Sequence, residues 1–203
     1  MSYTTYETRW FIAGTIPANF ETWFKQNCLA DSSQPEQRSD IYLYAPNNDF
    51  VGIKLRQGRL EIKWRLEELG TMQFGNSVAG KVEKWSKWMC TDSTGEAFLP
   101  NQVENSSTWI SVNKIRYSQC YQIRFGIVPQ QLSNSVNLDK IENHCNVELT
   151  LLQSNNNTWW SVALEANFID SLRATANYLF TNYKNIELLE KDSFAYPSWL
   201  GRC

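Results

Sequence analysis

The residues able to do chemistry in this chain lie in short patterns of alternating charge. Glu7 and Arg9 share a parity in YETRWF. Lys54 and Arg56 do so in IKLR, as do Glu61, Lys63 and Arg65 in LEIKWRL and Lys114 and Arg116 in NKIR. Glu148 sits in NVELT, and Glu165 and Asn167 share a parity in ALEANF. Side chains of a strand point alternately to opposite faces, so each pattern presents one charged face and one apolar face. The stretches that read as strands also carry Lys81, Lys84, Lys87 and Arg124, with Glu83 on the acidic side. They are therefore basic in a chain whose formal net charge is -2. Clustered Arg and Lys in a low-dielectric cavity would hold phosphate through bidentate, charge-assisted contacts. A few carboxylates among them would suit Mg²⁺, which takes oxygen ligands together with substrate phosphates. The competing reading is an antiparallel sheet with one wet face, which alternates in the same way.

Other constellations are weaker. His144 and Cys145 are adjacent, but neighbours on a strand face opposite ways and cannot form a catalytic pair. One His and five scattered Cys lack the spacing of a zinc site. No phosphate-cradling glycine loop and no GxSxG elbow is present. The nine Trp could stack on a planar ligand or line an apolar barrel pocket. The area each ring buries instead assigns Trp85, Trp88, Trp109 and Trp159 to the core. The pair Trp159-Trp160 sends one ring to each face.

Several elements must position these groups. Tyr6 to Ala13 reads as a first strand, and Pro17 to Cys28 as an amphipathic helix with Phe20, Trp23, Phe24 and Cys28 on one side. Asp31 to Asp40 reads as a loop and Ile41 to Tyr44 as a short strand. Val51 to Leu66 is a hairpin turning at Gln57-Gly58-Arg59. The glycines of Glu67 to Gly80 predict a connection, followed by a strand over Lys81 to Cys90 and a loop with some helix over Asp92 to Ser107. Further strands are expected at Trp109 to Tyr117, Cys120 to Val128, Cys145 to Leu152 and Trp159 to Phe168. The last two form a hairpin about the Asn-rich turn, and Gln130 to His144 is polar with room for a helical turn. Asp170 is expected to cap a helix running to about Tyr183. Tyr196, Trp199 and Leu200 of the tail should dock on the body. Many antiparallel strands with a few helices make an α+β chain dominated by β, and closure into a barrel would remove its sheet edges.

Composition narrows the class. With 203 residues, 42% hydrophobic and 14% aromatic, the chain suits one domain over residues 1–203 with a sizeable core. A pI near 5.5 argues against a general nucleic-acid partner. An odd number of unpaired-looking cysteines and no signal-peptide pattern fit a cytoplasmic protein, and no apolar run reaches membrane-span length.

The charged patterns, taken in order, resemble the CYTH-like, triphosphate tunnel family. Thr5-Tyr6-Glu7-Thr8-Arg9 resembles its opening ExExK strand, and Ile41-Tyr42-Leu43-Tyr44 its short Tyr-rich strand. Lys54-Leu55-Arg56, Gly58 and Leu60-Glu61-Ile62-Lys63 resemble its RxR and LTxK strands. Lys81-Val82-Glu83 resembles its Glu-bearing strand and Lys114-Ile115-Arg116 its KxR strand. Val147-Glu148-Leu149 and Ala163-Leu164-Glu165-Ala166-Asn167-Phe168 resemble its closing hairpin. The resemblance implies an eight-stranded antiparallel tunnel that binds a triphosphate or polyphosphate-like ligand, with Mg²⁺ or Mn²⁺ in the enzymes. On it, Arg9, Lys54, Arg56, Lys63, Lys114 and Arg116 would clamp phosphates, and Glu7 and Glu165 would hold the metal. Thr5 stands where the family's first Glu would be, Arg9 replaces its Lys, and Asn167 stands where its last Glu would be. The cationic side is thus fuller than the acidic side, which favours anion binding over metal-dependent phosphohydrolysis. The alternative is a lipocalin-like binder of an apolar or pigment ligand, with the aromatic parity inward and the charges outward.

Overall fold

The computed structural model describes residues 2–30, 34–57, 59–90, 108–124, 128–133, 141–181 and 187–203. Nine strands run in chain order: β1 (Ser2–Ala13), β2 (Glu36–Leu43), β3 (Val51–Arg56), β4 (Arg59–Phe74), β5 (Val78–Met89), β6 (Trp109–Gln122), β7 (Gln130–Gln131), β8 (His144–Ser154) and β9 (Asn157–Ala166). All pairings among them are antiparallel, in the order β2-β3-β4-β5-β1-β9-β8-β6. The ladder between β2 and β6, from Glu36↔Arg116 to Leu43↔Trp109, closes these eight into a barrel. β7 pairs only with the end of β6 and lies outside it. Closure leaves the eight strands without a free edge.

The apolar parity of the strands faces out of the barrel, and two helices cover it. α1 (Ala18–Cys28) brings Phe20, Phe24 and Cys28, and α2 (Ile169–Phe180) brings Leu172, Ala176, Leu179 and Phe180. These pack on Trp10, Val147, Leu149, Trp160, Val162 and Leu164 of β1, β8 and β9. α3 (Tyr196–Leu200) packs in a second cluster with Phe11, Tyr42, Val112 and Leu152. The expected docking of Tyr196, Trp199 and Leu200 is observed, and Trp159 lies edge-on to Trp199 while Trp160 joins the helical core.

Several expected boundaries shift. Residues 36–40 belong to β2 rather than to a loop, because they pair with β6. β4 runs through the glycine-rich stretch. Register shifts between Arg65 and Glu67 and between Glu68 and Thr71 absorb Gly70, whose φ is +82, as irregularities within the strand. One strand, β6, replaces two, since pairing with β8 is continuous from Asn113 to Gln122. The N-cap of α2 is Phe168, which makes no side-chain cap, so Asp170 is not its N-cap. The loop expected at Asp92 to Ser107 lies outside the described residues. Of the Trp assigned to the core, Trp88 is 37% exposed, and Trp109 and Trp159 are half-buried. Trp85 is buried but lines the barrel interior. The rings with the deepest burial are Trp10 and Trp199.

Candidate functional site

The barrel encloses a cavity of about 710 Å³. All six cations expected at the site line it: Arg9 from β1, Lys54 and Arg56 from β3, Lys63 from β4, and Lys114 and Arg116 from β6. Glu7 and Glu165 line it as well. The charged parity therefore points inward, and the apolar-lumen alternative has its faces the wrong way round. Lys81, Lys84 and Arg124 do not line it. His144 lies at the wall while Cys145 is buried in the outer core, so the two part as strand geometry requires.

The lining also holds Arg38, which the sequence did not single out, and Tyr196, expected only to dock on the body, together with Lys87, Glu61 and Glu148 from the charged strand patterns. Arg38 shares a parity with Asp40 and Tyr42, a pattern visible only once β2 is extended back past Ile41. Tyr196 reaches the cavity from α3, which no strand periodicity could indicate. In all, eight Arg and Lys face four Glu around the cavity among the described residues.

Charge is distributed unevenly. On the side of β1, β8 and β9, cations and carboxylates match. Arg9 Nε donates to Glu7 Oε1 at 3.0 Å and its Nη1 to Glu148 Oε1 at 2.9 Å, while Arg116 Nε donates to Glu148 Oε2. Lys63 pairs with Glu7 and lies 3.6 Å from Glu165. Burial alone would raise the Glu7 carboxyl, but Lys63 and Arg9 outweigh it and hold it at about 2. Burial is likewise overcome at Glu148 by Arg116 and Arg9, which hold it well below the carboxylate range.

On the side of β2, β3 and β6 positive charge exceeds negative. Asp40, on the inward-facing row of β2 and fully buried beneath these cations, accepts from Arg56 Nε at 3.0 Å and pairs with Lys114 Nζ at 3.0 Å. Glu61 pairs with Lys54 at 2.8 Å and also meets Arg56 and Lys87. These partners do not suffice. Burial and the neighbouring Arg56 lower the Lys54 ammonium to about 7, and burial lowers Lys114 to about 7 against the pull of Asp40. Both shifts come first from burial, which disfavours the charged form even beside Glu61 and Asp40. Thr5 Oγ1, also on the wall, is buried with no hydrogen-bond partner among the described residues.

The carboxylates do not fit a divalent ion. Glu83, Glu7 and Glu165 stand in register on β5, β1 and β9, the nearest approach to an acidic cluster. Their oxygens are committed elsewhere. Glu83 accepts from Arg65 and from the Trp85 indole, Glu7 from Arg9 and Lys63, and the Lys63 ammonium sits between Glu7 and Glu165. A hard cation needs free oxygens directed at one point. Among the described residues no group of three or more His, Cys, Asp or Glu is so arranged.

No family model matches the chain, and no curated protein does. Among solved structures, the S. pombe Pct1 RNA triphosphatase in complex with the Spt5 CTD is similar at 10% identity, over 87% of this chain and 80% of that one, with a TM-score of 0.39. A likeness of that size carries no argument about function, which must rest on this cavity's own residues. No helix among the described residues is long and apolar enough to cross a membrane.

Proposed function

We propose that the barrel binds a phosphorylated anion of the triphosphate or polyphosphate kind, and that it does so with its own cations rather than through a bound metal. The observation that carries this is the excess of lining cations over carboxylates in a closed barrel, greatest where Lys54, Arg56 and Lys114 converge. Desolvating that much charge adds little stability, since well-packed apolar residues commonly replace buried ion pairs at no loss. An anionic ligand accounts for it. The guanidiniums of Arg9, Arg56 and Arg116 are already engaged by Glu7, Glu148, Asp40, Glu61 and Glu36, so a phosphate would add to or displace those pairs. Lys54 and Lys114, which outnumber the carboxylates beside them together with Arg56 and Lys87, would gain a further negative neighbour. The triphosphate tunnel resemblance of the strand motifs agrees with this reading, and the committed oxygens of Glu7 and Glu165 direct it toward binding rather than metal-assisted hydrolysis.

Thermal unfolding with tripolyphosphate or ATP, with and without Mg²⁺, alongside phosphate release, tests it. A ligand at about 100 times its dissociation constant stabilises the native state by roughly 2.7 kcal/mol. In a chain of this size that is a shift on the order of 5–10 °C. The expected result is a shift that does not need Mg²⁺, with no phosphate released. No shift with either ligand would sink the proposal, and release that requires Mg²⁺ would replace it with a metal-dependent hydrolase.

A further inference from the structure

Among the described residues Lys54, Lys63, Lys87 and Lys114 line the cavity, and their surroundings differ. Lys63 is held by Glu7 and Glu165. Burial would lower its ammonium, but Glu165 and Glu7 outweigh burial and raise it. Lys114 is enclosed. Its side chain is 2% exposed, and Asp40 and the hydroxyls of Tyr42 and Tyr196 surround its nitrogen, so an incoming carbon atom cannot reach it. Lys87 stands over the Tyr3 ring, 5.5 Å from its centre, with Glu61 at 3.4 Å. Lys54 is placed otherwise. It stands in register between Tyr42 of β2 and Glu61 of β4, and its side chain is 18% exposed. Glu61 Oε2 at 2.8 Å is its one carboxylate contact among the described residues. Glu61 is shared with Arg56 at 3.5 Å and with Lys87, while Asp40 is taken up by Arg56 and Lys114.

An amine becomes a nucleophile where burial and neighbouring cations favour its neutral form. Both conditions hold at Lys54. Burial lowers it most, Arg56 beside it on β3 and Lys114 on β6 lower it further, and Glu61 and Asp40 oppose them without restoring it, which leaves it at about 7. Near neutral pH about half of such side chains carry a free lone pair, against roughly one in 2,500 for an ordinary lysine.

We propose that Lys54 is a nucleophile, and that the barrel captures an aldehyde bearing an anionic group as an imine on its Nζ. The anionic group rests on the anion-binding reading, and the covalent step goes beyond it. Nζ attacks the carbonyl carbon, a C–N bond forms, and the π pair of the C=O moves to oxygen. Both protons of the neutral amine pass by way of Glu61 to that oxygen. The C–O bond breaks, the oxygen leaves as water and a C=N bond remains. Nothing is oxidised or reduced, and water reverses the step. Arg56 and Lys87, on the far side of Glu61 from Lys54, supply positive charge for the anionic group.

Pyridoxal phosphate is the probe. Borohydride reduces the imine to a stable amine, peptide mass spectrometry locates it, and melting is followed separately in tripolyphosphate. At pH 7 Lys54 should be labelled about tenfold or more faster than the exposed Lys25, Lys81 and Lys191. Its rate should rise up to about pH 7 and then level off, and tripolyphosphate should slow it. Lys54→Met should lose the fast label and Lys81→Met should keep it. Label spread evenly over the exposed lysines overturns the inference, as does a rate still climbing tenfold per pH unit between 7 and 9. So does a tripolyphosphate concentration that raises the melting temperature without slowing the label. Each of these leaves anion binding standing. Fast label at Lys54 with no melting shift in tripolyphosphate supports the inference and refutes the polyphosphate reading. Neither label nor shift overturns both.

Discussion

Lys114 is 3% exposed, with Asp40 at 3.0 Å and the hydroxyls of Tyr42 and Tyr196 around its ammonium. Burial lowers it, like Lys54, to about 7. A polyphosphate beside these lysines would raise both values, so binding takes up protons. Affinity for tripolyphosphate should therefore fall above about pH 7, by up to about tenfold per unit for each lysine that must be charged. Lys114→Met should lower the proton uptake seen by calorimetry in buffers of differing ionisation heat. Uptake unchanged in that variant would exclude Lys114. The ligand-free fold responds in the other direction. Both lysines titrate near 10.4 when unfolded, so the unfolded chain holds more protons between about 7 and about 10.4, and stability from this source rises with pH across that window. Glu7 acts oppositely. Its lowered value contributes stability that is present above about 4.3 and lost as pH falls toward 2.

Lys63 makes a second prediction at the residue scale. Its ammonium lies between Glu7 and Glu165, the two carboxylates that the resemblance assigns to a metal. Lys63→Met should leave two facing carboxylates without their cation, at a cost on the order of 3 kcal/mol. The variant should bind Mn²⁺, measured by paramagnetic resonance, and recover part of that stability when it does. Equal Mn²⁺ binding by the unaltered protein would show that Lys63 does not block the site.

At the scale of elements, the gap between β1 and β5 depends on Gly80. The Trp10 ring packs where a Gly80 Cβ would lie, and its Nε1 donates to Ala79 O at 2.8 Å. Gly80→Ala should therefore overpack the place where the C-terminal segment enters, costing about 1–3 kcal/mol. That lowers the melting temperature by roughly 3–10 °C. Gly201→Ala, where the nearest atom to an added Cβ is 3.6 Å away, should be close to neutral and serves as the control. A Gly80→Ala protein melting with the Gly201→Ala control would mean that Trp10 can shift without loss. Strands with strict alternation, such as β3 and β9, were legible because period two leaves a direct mark on sequence. The polar middle of β6 and the glycine-bearing half of β4 were not. Their extended state is held by ladders to β8 and β5, and cross-strand hydrogen bonds leave no local signature.

At the scale of the whole molecule, the sequence by itself determined that charge and apolar surface would lie on opposite faces of the strands. It also determined that Lys54 and Arg56, and likewise Lys114 and Arg116, would share a face of their own strand, since strand parity is a local property. Which face turns inward was decided only in three dimensions. α1 and α2 cover the outer apolar rows, so the charged rows must close around the cavity. Two further matters were settled at that level. Lys63 stands between the carboxylates that the resemblance assigned to a metal, and α3 closes one end through Tyr196, more than 180 residues along the chain from Glu7. Both follow from contacts between residues far apart in sequence, which spacing and periodicity along a single chain do not record.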